Sequence, residues 1–90
     1  MNELPKYQNL IIPMLRVFSD GRVLHNKEIS SLLSKQLEIP TPLLEVIHSG
    51  TRTEFDYRLA WARTKAKNSG WIQSDKREHW SITSLGKTQI

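Results

Sequence analysis

Between Ser49 and Gly70 the chain crowds together five cations, Arg52, Arg58, Arg63, Lys65 and Lys67, with three aromatic rings, Phe55, Tyr57 and Trp61. Guanidinium forks suit phosphate oxygens and the guanine edge, and an apolar ring accepts a methyl group, so this mixture suits the reading of a nucleic acid. A second basic pair, Lys76-Arg77, follows in a polar turn. Other chemistry finds little support. His25 and Glu28 stand one helical turn apart, but His25, His48 and His79 fall on separate elements in a chain without cysteine, so no metal site is expected. Serine, histidine and aspartate occur without a nucleophile-elbow glycine pattern, and no catalytic residue is expected.

The elements that must carry these groups can be read from start and stop signals. Thr53 caps a helix, and Asp56 answers the capping residue's amide while facing the positive end of the helix dipole. Asn68-Ser69-Gly70 ends it, Gly70 supplying the left-handed turn. On the helical wheel Phe55, Leu59, Ala62 and Ala66 form a stripe roughly 60° wide, which is the core face. Trp61 lies roughly 130° from its centre. So placed, the indole either covers a second apolar surface from a neighbouring element or faces a ligand, with Arg58 beside it.

Upstream, Tyr7, Leu10, Ile11, Met14, Leu15 and Phe18 recur at helical spacing and predict a first helix from about Lys6 to Ser19, bent at Pro13. A short extended piece, Arg22 to His25, leads to Asn26 as the cap of a second amphipathic helix carrying Ile29, Leu32, Leu33 and Leu37. Thr41-Pro42 starts a short helix through Ile47, and Gly50 closes that piece. After Gly70, Trp71–Ser74 and His79–Ile82 read as two strands of a hairpin turning at Asp75–Glu78. Trp71 and Trp80 are expected to pack against the first helix. Thr83–Gly86 opens a last helical turn.

The chain of 90 residues has room for one domain with one modest core, and 38% apolar composition with mixed charge indicates a globular fold. The start at Met1-Asn2-Glu3 lacks a basic-then-apolar leader pattern, and no apolar run approaches the ~18 residues of a membrane span, so a cytoplasmic location is expected. Charge is skewed. Residues 51–90 carry eight lysines and arginines against four carboxylates, while residues 1–50 balance, so the whole excess of +4 lies in the second half. A polyanion-binding face and a solvated lysine-rich helix would both give this count.

Helix, short strand, helix, helix and hairpin is the order of a winged helix-turn-helix, an α+β but mainly α fold of three to four helices with a C-terminal β-hairpin wing. The stretch with Thr53, Phe55, Asp56, Arg58, Trp61-Ala62-Arg63-Thr64 and Gly70 also resembles the N-terminal domain of Mrr-type restriction endonucleases. The likeness runs through Pro5, Tyr7, Gln8, Pro13, Leu15, Asp20-Gly21 and Glu28, and at the far end through Arg77, Ile82-Thr83 and Gly86. Three positions depart from the family: Ala66 replaces a usual leucine, Tyr57 a common asparagine, and Glu78 a glycine after the wing arginine.

The resemblance implies a winged-helix DNA-binding domain, joined in the family to a C-terminal PD-(D/E)XK nuclease that cuts methylated DNA with magnesium. No Asp-x-Lys or Glu-x-Lys triplet occurs here, so this chain is expected to be a specificity domain and not an enzyme, with no cofactor of its own. The expected function is recognition of methylated double-stranded DNA through the major groove, with, in the family, a nuclease domain beyond Ile90 as partner; a homodimer is a further expectation. The expected DNA-binding residues are Arg52, Thr53, Tyr57, Arg58, Trp61, Lys65, Lys76 and Arg77. Arg52, Thr53, Lys76 and Arg77 are assigned to phosphate, and Arg58 with Trp61 to the base edges. Two other functions fit the same fold: a stand-alone transcription regulator meeting a palindrome as a dimer, and a protein-interaction module.

Overall fold

The computed structural model describes residues 3–90; Met1 and Asn2, the start of the segment read as free of a leader pattern, lie outside the described residues. Five helices and five short strands follow in the order α1 (Tyr7–Val17), β1 (Leu24–His25), α2 (Asn26–Gln36), α3 (Thr41–Leu44), β2 (Ile47–Ser49), β3 (Arg52–Thr53), α4 (Glu54–Asn68), β4 (Ile72–Lys76), β5 (His79–Ile82) and α5 (Ser84–Lys87). The fold is α+β and mainly helical. Strands β1, β5 and β4 form an antiparallel sheet in that order, and β2 pairs with β3 in a separate antiparallel hairpin. This layout is compatible with a winged helix-turn-helix whose wing is the β4–β5 hairpin. No helix among the described residues is long and apolar enough to cross a membrane.

One core explains why the helices form where they do. Phe55, Leu59, Ala62 and Ala66 are all buried, as the wheel requires, and two of the four are alanines, so α1 packs closely along α4. Leu10, Met14, Leu15 and Phe18 of the α1 segment are fully buried against them. Ile29 and Leu33 close the core from α2, and Leu24, Ile72 and Ile82 close it from the sheet. Ala66 thus occupies a fully buried position with the smallest apolar side chain available. Removal of this apolar surface from water supplies the main driving force for the arrangement.

Three local expectations are corrected. Thr53 does cap α4, its hydroxyl accepting from the Asp56 amide at 3.1 Å, but Asp56 does not answer it. The Asp56 carboxylate instead accepts from Ser30 Oγ at 2.7 Å, joining α4 to α2, because the Thr53 backbone is already in the β2–β3 ladder. Helix α2 is capped by His25 rather than Asn26: His25 Nδ1 accepts from the Lys27 amide, and the His25 amide donates to Glu28. Asn26 is freed to accept from Trp80 Nε1 at 2.7 Å. Trp80 is therefore held by α2, with Lys67 of α4 over its ring at 5.9 Å, and like Trp71 it is partly buried against the core.

The third correction lies between α2 and α4. The short helix stops at Leu44, and Ile47 belongs to β2, where it pairs with Thr53. Gly50 makes the turn of a hairpin that local pattern alone did not reveal, and the Glu54 amide donates to the Val46 carbonyl at its base. Helix α4 ends as expected, with Ser69 at the C-cap and Gly70 at φ 78°. At the wing, β4 runs on to Lys76, so the turn is tighter than the sequence suggests. Glu78 takes φ 62°, the left-handed conformation that a glycine holds without strain, so the departure at this position keeps the glycine-type backbone.

Candidate functional site

Helix α4 has two flanks and an outward face, and its contacts separate them. On one flank, Arg58 Nη1 donates to the carbonyls of Leu4 and Pro5 at 2.9 and 3.2 Å, and Arg58 Nε donates to Glu54 at 2.7 Å. Trp61 lies beyond Arg58 on this side, its ring centroid 6.4 Å from that of Tyr7 on α1. On the other flank, Asp56 holds Ser30 of α2, and Lys67 approaches Trp80 of the wing sheet. The outward face carries Tyr57, Ala60 and Thr64.

The structure thus gathers three of the sequence-selected residues and disperses the rest. Arg52, Tyr57 and Trp61 line a shallow notch of about 280 Å³ with Ala60 and Thr64. The Thr64 hydroxyl is bound back to the Ala60 carbonyl at 3.0 Å, which leaves the notch with an apolar floor. Trp61 is 50% exposed, so it is not a core residue, and its other side leans on Tyr7. Of the two alternatives raised for this indole, the cover of a neighbouring element is present in the contact with Tyr7, and half of the ring stays open to solvent. Arg58 is different: it fastens the segment before α1 to α4, and its bonding is internal. Thr53 caps the start of the helix, while Lys65 is exposed in the last turn of α4. Lys76 and Arg77 stand exposed on the wing.

Electrostatics tie the base of α4 together. The Arg58 hydrogen bond, followed by that from His48 Nδ1 at 3.0 Å, holds the Glu54 carboxyl below its usual range. His48 also stacks face to face on Tyr57, with centroids 3.5 Å apart and planes 11° from parallel. The Arg52 guanidinium stands 5.6 Å from the same ring. Tyr57 is therefore fixed by a stack and a cation, through the hairpin that delivers His48 and Arg52. Its position opposite the core stripe could be read from the wheel; His48 could not, because its approach depends on the β2–β3 pairing.

A second cleft, of about 410 Å³, opens between α2 and α4 and is lined by Asn26, Lys27, Ser30, Ser31, Arg52, Asp56 and Arg63. Burial lowers the pKa of the Arg63 guanidinium, Asp56 opposes the shift, and the group stays cationic at any ordinary pH. A larger apolar cleft of about 610 Å³ lies on the opposite flank, between the Glu3–Gln8 segment and Glu54, Tyr57, Arg58 and Trp61. His25 and His79, on separate strands, are register partners and meet edge to face at 4.9 Å. No group of three metal-binding side chains occurs among the described residues.

The comparisons with known proteins agree with the residue pattern. The family model of the Mrr N-terminal domain matches residues 7–90, from the first residue of α1 to the end of the chain. No curated protein and no solved structure matches. With nearly the whole fold inside that match, the chain belongs to the Mrr N-terminal domain family, the N-terminal domains of Mrr-type restriction endonucleases.

Proposed function

We propose that this domain binds duplex DNA on behalf of an Mrr-like restriction enzyme, with the outward face of α4 in the major groove and the β4–β5 wing on the sugar-phosphate backbone, and that it favours methylated DNA. The observation that carries the reading is the notch of Tyr57, Ala60, Trp61 and Thr64 under Arg52. An apolar floor beside an exposed indole is suited to a base methyl group, and an arginine on its rim is suited to guanine or to the neighbouring phosphate. Thr53, Lys65, Lys76 and Arg77 contribute phosphate contacts. Arg58 serves as a fastening residue of the fold, which leaves Trp61 at the base edges and Arg52 on the phosphate beside them. Chemistry on DNA belongs to a nuclease domain elsewhere in such an enzyme.

The test is a titration of paired methylated and unmethylated duplexes, followed by fluorescence anisotropy. Trp61→Ala is expected to leave affinity for unmethylated DNA nearly unchanged and to abolish the preference for the methylated duplex. With about five phosphate contacts, affinity falls by roughly 10² to 10³ between 50 and 200 mM salt. A flat salt response refutes the electrostatic part. Equal affinity for both duplexes with tight binding to one unmodified palindrome supports a transcription regulator instead, and no binding at low salt supports a protein partner.

A further inference from the structure

The cleft between α2 and α4 gathers three cations that belong to three elements: Lys27 on α2, Arg52 on β3 and Arg63 on α4. None of them enters a salt bridge among the described residues. Ser30 and Ser31 supply hydroxyls on the same wall. The one carboxylate present, Asp56, is engaged by Ser30 Oγ at 2.7 Å, which orients that hydroxyl and leaves the cations in excess. The charge comes from side chains and not from the start of α2. The Asn26 amide donates to the Glu78 carbonyl and the Lys27 amide to His25, so these two donors are already spent.

Two features identify the anion. The cleft is open, with Lys27 and Arg52 exposed and Arg63 partly buried at its wall, which suits a singly charged group that remains partly hydrated. Arg52 also lines the notch on the outward face of α4, so an anion held here is continuous with that face. We infer that Lys27, Arg63 and Arg52 clamp one backbone phosphodiester of the bound duplex, with Ser31 donating to one of its oxygens while Ser30 stays bound to Asp56, and so set the register at which α4 meets the bases. The inference rests on the DNA reading given above. It adds a sequence-independent contact from α2, an element to which the sequence assigns no DNA-binding residue.

The test compares Lys27→Gln, Arg63→Gln and Arg63→Lys with the parent domain on methylated and unmethylated duplexes across a salt series. Lys35→Gln, an exposed change at the far end of α2, is the control, and circular dichroism verifies the fold. Each glutamine variant is expected to lower affinity equally for both duplexes and to reduce the salt slope by about one phosphate contact, so that the loss between 50 and 200 mM salt shrinks about threefold. Arg63→Lys retains the slope. Folded variants with the parental slope overturn the clamp while leaving the DNA reading intact. Failure of the parent domain to bind DNA at low salt overturns both. Inorganic phosphate, titrated alone by NMR, separates the sources: shifts at Ser30, Ser31 and Arg63 with no effect of the variants on DNA binding assign the cleft to free phosphate and overturn the diester reading.

Discussion

Replacing Arg58 with alanine separates a fold-fastening arginine from a base-reading one. In the structure its guanidinium joins α4 to the segment preceding α1 through the Leu4 and Pro5 carbonyls, and its side chain is 33% exposed. Hydrogen bonds from a charged group to neutral acceptors contribute more than neutral pairs, but partial exposure returns some of that to water. The net loss is about 1 to 2 kcal/mol. For a domain of this size that corresponds to a fall of roughly 5 to 15 °C in melting temperature. The assay pairs thermal unfolding by circular dichroism with a DNA titration well below the lower melting point. The expected result is a lower melting temperature with nearly parental affinity. An unchanged melting temperature together with a loss of affinity of about tenfold or more would place Arg58 on the DNA instead of in the fold.

Gly86→Ala should be severe, since a Cβ there would collide with the Trp71 carbonyl oxygen and stand 2.8 Å from Ile82 Cγ1; backbone cannot yield as a side chain can, so urea unfolding is expected to show a stability loss of about 1 to 3 kcal/mol or more. Trp61→Ala removes a half-exposed ring resting on Tyr7 and is expected to cost about 1 kcal/mol at most, with the circular dichroism spectrum retained; loss of folding would show that the contact with Tyr7 is essential to the packing of α1 on α4. Glu54 has a carboxyl held below its ordinary value of 4.5, so its contribution is complete above that pH and is lost as pH falls through the lowered value. Glu54→Gln should flatten that acid limb of the urea midpoint against pH, and an unaltered limb would show that the network with Arg58 and His48 adds nothing.

Much of the architecture was legible in residue order because local signals and burial agree. The Phe55, Leu59, Ala62 and Ala66 stripe, the Thr53 cap, the Gly70 stop and the aromatic strands each follow from short-range rules, and the fold satisfies all of them. The candidate site was legible only in part. Its basic helix and its Arg52, Tyr57 and Trp61 could be named, because type and wheel position suffice to exclude them from the core stripe. The β2–β3 hairpin could not, because two strands of two or three residues leave almost no periodic signal.

Chain order alone determined that a capped basic helix precedes a hairpin and that one face of it is core. Which cations remain available was decided by tertiary structure. Arg58, Arg63 and Lys67 look alike in the sequence, yet Arg58 meets two backbone carbonyls from residues far away in the chain, Lys67 lies near Trp80, and Arg63 enters a cleft with Lys27. Helical periodicity fixes the angle at which a side chain leaves its helix, but not what stands in that direction. The neighbour is set by how α1 and α2 pack on the two flanks of α4, and hydrogen bonding to that neighbour determines which charges are left for an anion.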